Sequence, residues 1–68
     1  MTEPGEVTDY AKGAAETLDG RALNNDKIAF QWVAVCLADR FPFLDRETRY
    51  RIAHEVVTDE RQRRKSLP

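Results

Sequence analysis

Apolar positions recur at helical spacing in three stretches of this chain. In the first, Val7, Tyr10, Ala11, Ala14, Ala15 and Leu18 fall on one stripe. Thr8 or Asp9 can cap a helix there, and Gly20 sits where it would stop. Gly13 weakens the segment by about 1 kcal/mol relative to alanine. Three of the six stripe positions are alanine, so this face is thin in volume. Residues 1–6, with Pro4 and Gly5 as breakers, read as a disordered leader.

Asn24, Asn25 and Asp26 end the connector RALNND, and their short side chains favour turns and N-caps. The second helix is predicted over about residues 26–41 and ends at Phe41-Pro42, because the residue before proline is pushed out of the helical region. After the apolar turn FPFLD, Asp45 caps a third helix with Tyr50, Ile52, Ala53, Val56 and Val57 on its inner face. Its outer face offers acid-before-base pairs four residues apart: Glu47 with Arg51, Asp59 with Arg63, and Glu60 with Arg64. The closing RQRRK places cations at the negative end of the helix dipole, and residues 66–68 read as a frayed tail. The pattern predicts an all-α chain with a single three-helix domain over residues 7–65.

The second stretch carries most of the information. On a helical wheel, Lys27, Gln31, Ala34 and Ala38 share one side. Ile28, Phe30, Trp32, Val33, Val35, Cys36, Leu37 and Phe41 take nearly all the rest, interrupted only by Asp39 and Arg40. A surface helix needs an apolar arc somewhat over about 100°, and this one is roughly twice that. Such a helix belongs at the centre of something larger than two thin neighbours supply. Burying a large side chain is worth about 1.5–3 kcal/mol, a gain that a small domain needs. A homodimer, the commonest oligomer, is therefore expected, with docking on another protein as the other way to cover the helix. Phe30, Trp32, Val33, Leu37 and Phe41 are the expected interface anchors, since large aromatic and aliphatic side chains dominate interface energies.

Composition narrows the alternatives. The chain has 68 residues, one cysteine and one histidine, which excludes an internal disulfide and makes a metal centre unexpected. No cofactor motif is present. The formal net charge is −1, but residues 1–26 carry six acids and two bases while residues 27–68 carry nine bases and six acids. That asymmetry predicts an oriented electrostatic surface. The acidic N-terminus does not read as a signal peptide and the longest apolar run, Trp32 to Ala38, is far short of a membrane span, so a cytoplasmic protein without membrane contact is expected.

The segment LADRFPFLDRETRYRIAHEVV, from Leu37 to Val57, resembles the three-helix bundle dimerisation domain of small actinobacterial proteins, sometimes found beside arsenate reductase-like domains. Arg40, Phe41, Pro42 and Asp45 carry the resemblance, followed by Thr48, Ile52 and Val56. In that family more helical sequence follows the turn; here most of the chain precedes it. The resemblance implies self-association without catalysis.

Two function classes follow. The first is a non-enzymatic protein–protein interaction module, a small bacterial or phage regulator acting through a homodimer or a second protein. The second is a small DNA-binding regulator that contacts phosphates through Arg49, Arg61, Arg63, Arg64 and Lys65. Against the second, Glu47, Glu55, Asp59 and Glu60 share the same helix. His54 and Cys36 form no catalytic set with neighbours in sequence, so no enzyme is expected.

Overall fold

The computed structural model describes residues 4–66, and all regular structure among them is α-helical. Four helices follow in order: α1 (Pro4–Glu16), α2 (Gly20–Leu23), α3 (Asp26–Arg40) and α4 (Arg46–Ser66). The three long helices α1, α3 and α4 pack against one another pairwise, and the single turn of α2 packs on α3.

The N-terminal helix begins earlier than its apolar pattern announces, so residues 4–6 of the expected leader are helical; residues 1–3 lie outside the described residues. Proline fits a first helical position, because its missing N–H would find no partner there and its φ is pre-set. Glu6 in the first turn adds a favourable charge, and buried Val7 ties that turn to the core. The helix also stops short of Gly20. Thr17 N donates to Ala14 O at 3.3 Å and Leu18 N to Ala15 O at 3.2 Å, a tightening of the last turn. Asp19 then caps α2, its Oδ1 accepting from Ala22 N at 2.7 Å, so Gly20 starts a helix rather than ending one. This short turn brings Leu23 into the centre of the molecule, where it is fully buried.

The caps of α3 and α4 follow the sequence closely. Asn25 Oδ1 accepts from Ile28 N at 3.0 Å, and Asp45 Oδ1 accepts from Thr48 N at 2.9 Å. Hydrogen bonds from the Thr48 side chain and backbone hold the Asp45 carboxyl below its usual pKa. Phe41 ends α3 with a non-helical backbone and folds its side chain inward, under an edge-on contact from Tyr10 at 5.5 Å.

The core joins Val7, Ala11 and Ala15 of α1, Leu23 of α2, Ala29, Val33 and Leu37 of α3, Phe41, and Ala53, Val56 and Val57 of α4. Ala34 is buried too, although the wheel grouped it with Lys27 and Gln31. Alanine presents little volume, so α4 can approach α3 closely along that side.

Two expected ion pairs form and one does not. Glu47 meets Arg51 at 3.8 Å on an exposed surface, and Glu60 meets Arg64 at 2.7 Å. Arg63 turns away from Asp59 to Glu60, with Nη2 2.6 Å from Oε2. Of the expected frayed tail 66–68, Ser66 is helical and closes the last turn of α4 by donating its hydroxyl to Gln62 O at 3.1 Å, and residues 67–68 lie outside the described residues.

Candidate functional site: the outer face of α3

The expected interface anchors separate into two groups. Val33 and Leu37 are fully buried and Phe41 nearly so, all within the chain's own core. Phe30 is half-buried, its ring 5.3 Å from His54 and beneath the Arg61 guanidinium at 5.7 Å. Trp32 is 44% exposed, with Ile28 at 49% and Val35 at 55% beside it on α3. Residues 28, 32 and 35 are spaced i, i+4, i+7, which puts them on one helix face. Leu37, nine residues after Ile28, points about 180° away at 100° per residue. The helix therefore has two apolar faces. One is enclosed by α1, α2 and α4, and the other is open to solvent. Asp39 continues the open stripe by a further four residues.

Trp32 is held in place rather than swinging free. Its indole Nε1 donates to Ala14 O and to Thr17 Oγ1, both at 3.2 Å, at the C-terminal end of α1. The Thr17 hydroxyl itself donates to Ala14 O at 2.7 Å. The polar atom of the indole is thus satisfied, and its apolar flank stays presented. Residues Asp9, Tyr10 and Gly13 of α1 line a groove with Trp32 and Cys36. On the opposite side of the stripe, Val35 and Ala38 border Arg46, Arg49 and Tyr50 of α4. Tyr50 carries the Arg46 guanidinium over its ring at 5.6 Å. Exposed Phe43 stands past the end of α3, in edge contact with Phe41 at 6.0 Å.

Ile28 and Val35, which lie in the apolar arc of this helix, are not among the anchors expected from the sequence, Phe30, Trp32, Val33, Leu37 and Phe41. The signal was the 28–32–35 spacing, diametrically opposite 33 and 37. What it lacked was the identity of the inward side.

Of the second set of candidates, the four arginines are engaged within the chain. Arg49 Nη1 donates to Leu44 O at 2.7 Å. Arg61 bridges the connector, with Nε on Leu23 O and Nη2 on Asp26 Oδ1, both at 2.8 Å. Arg63 Nε and Nη2 grip the two oxygens of Glu60 at 3.0 and 2.6 Å. Arg64 adds Nε to Oε2 at 2.7 Å and extends Nη2 to Glu16 O, the last residue of α1, at 3.2 Å. Glu60 is only 6% exposed, and these arginines, first of all the Arg63 hydrogen bond, hold its carboxyl below the usual range. Lys65 is exposed at the end of α4. The basic C-terminal segment is thus a set of staples between elements, with a buried carboxylate at its hub.

Other chemistry is sparse. Cys36 is partly buried, and its thiol is pushed up by that burial and by the charge of Asp39. Among the described residues no three His, Cys, Asp or Glu side chains gather as a metal site, and no helix is long and apolar enough to cross a membrane. No family model, no curated protein and no solved structure matches the chain.

Proposed function

We propose that this protein is a non-catalytic self-association module, and that a second copy covers the outer face of α3. The observation that carries the reading is the row Ile28, Trp32 and Val35, each about half exposed, on the side of α3 that the chain's own helices leave open. Contiguous apolar patches on small proteins mark interaction sites. A two-fold dimer uses the same patch on both copies and makes each such contact twice, which doubles what one stripe contributes. The resemblance around Arg40, Phe41 and Pro42 implies the same behaviour. The nucleic-acid reading has less behind it, because Arg49, Arg61, Arg63 and Arg64 are each bonded within the chain.

Sedimentation equilibrium over a wide concentration range tests the proposal. The wild-type mass rises from one chain toward two. Val35→Glu stays at one chain with its helical circular dichroism unchanged, because residue 35 lies outside the core. A wild-type mass fixed at one chain throughout the range overturns the proposal.

A further inference from the structure

We infer that the corner where α2 meets the C-terminal end of α4 binds a small phosphoryl anion, of the size of phosphate or pyrophosphate, whether or not α3 pairs with a second copy. Gly20, Leu23 and Asn24 line a hollow there with Arg61, Arg64 and Lys65 of α4. The three cations are spaced i, i+3, i+4, so they share one helix face. No carboxylate among the described residues lines the hollow. Asp26 and Glu60 reach the two arginines and Glu16 acts on Arg63, but none of the three forms part of its wall. Its volume of about 240 Å³ is below the roughly 300–1,000 Å³ of sites for drug-sized ligands, which favours a compact ion.

The internal bonds of these arginines prepare the site rather than fill it. A guanidinium carries N–H donors on all three of its nitrogens. Arg61 uses Nε on Leu23 O and Nη2 on Asp26, and Arg64 uses Nε on Glu60 and Nη2 on Glu16 O, over 2.7–3.2 Å. Nη1 of each forms no hydrogen bond among the described residues. The two side chains are therefore ordered before a ligand arrives, and binding avoids the entropy cost of ordering them. They are 25% and 28% exposed, so water and salt screen them less than they screen a free surface cation. The guanidinium fork matches the geometry of phosphoryl oxygens, and the ammonium of exposed Lys65 adds a mobile point charge at the rim.

Two-dimensional nitrogen–proton NMR of the full chain, titrated with sodium pyrophosphate at an ionic strength held constant with sodium chloride, tests the inference. The expected result is saturable shifts of the Gly20 and Asn24 amides and of the Arg61 and Arg64 Nε–H signals, with smaller changes elsewhere. Lys65→Gln, at an exposed position, weakens the fitted affinity by about three-fold, in line with the loss of one solvent-exposed charge contact. Lys12→Gln removes an equal charge from a different hollow, between α1 and α4, and leaves the affinity unchanged. A short DNA duplex in a parallel titration separates a free anion from a nucleic-acid backbone. Pyrophosphate that binds more tightly than the duplex supports the inference. Shifts that grow without saturating, equal weakening by Lys12→Gln and Lys65→Gln, or tighter binding of the duplex overturns it.

Discussion

Replacing Glu60 by Gln removes one charge from the hub of the C-terminal staples while keeping the side chain's shape. The carboxylate is 6% exposed and takes three hydrogen bonds of 2.6–3.0 Å from Arg63 and Arg64. A glutamine has one carbonyl oxygen, so at least one guanidinium N–H then faces an amide N–H. Hydrogen bonds to charged groups contribute about 1.5–3 kcal/mol each. Arg63 is half exposed and can turn to water, which lowers the loss, so we expect about 1–2 kcal/mol at pH 7. For a domain of this size that lowers Tm by about 5–15 °C. The pH dependence is diagnostic. The folded pKa of Glu60 is depressed below its unfolded value of about 4.3, so its contribution is fully present above that pH and is lost as pH falls through the folded value. Thermal unfolding followed by circular dichroism at pH 7 and again near pH 2–3 should therefore show a gap between wild type and Glu60→Gln that narrows with acid. Equal melting temperatures at pH 7 would refute the hub, and a gap of undiminished size in acid would show that shape, not charge, sets the difference.

Other substitutions probe other links. Leu23→Ala, at a fully buried position contributed by the single turn of α2, should cost about 2–5 kcal/mol in urea unfolding. Arg61→Ala frees Leu23 O and Asp26 together, so amide exchange over residues 20–25 should accelerate more than exchange in α4. Cys36 should react with iodoacetamide more slowly than an ordinary exposed thiol at pH 8, with its rate rising at higher pH, since both burial and Asp39 disfavour the thiolate.

The parts of the fold legible in the sequence are those set by local chemistry. The Asn25 cap, the Phe41-Pro42 stop and the Asp45 cap each act within a few residues, and they bound α3 and α4 as read. What escaped depends on distant partners. Leu23 sits in a polar connector and is buried because Arg61, thirty-eight residues later, anchors that connector to α4. Glu60 and Arg64 read as one exposed helix pair, and only the packing of α1 on α4 makes Glu60 a buried hub. The apolar excess of α3 was visible as an arc twice the usual width. Ala34 shows why its direction was not: α4 approaches over a small side chain that a wheel groups with its polar neighbours. Assigning the inward side moved Val33, Leu37 and Phe41 into the core and left Trp32, with Ile28 and Val35, outside.

Trp32 is the chain's single tryptophan and lies in the centre of the open stripe, so its emission reports directly on whether that face is covered. Fluorescence of the wild-type protein through a long dilution series is the closest test of the account. We predict a red shift of the emission maximum on dilution, with Val35→Glu fixed at the dilute value at every concentration. A wild-type spectrum that does not change from the most concentrated sample to the most dilute, with sedimentation showing one chain throughout, would contradict it.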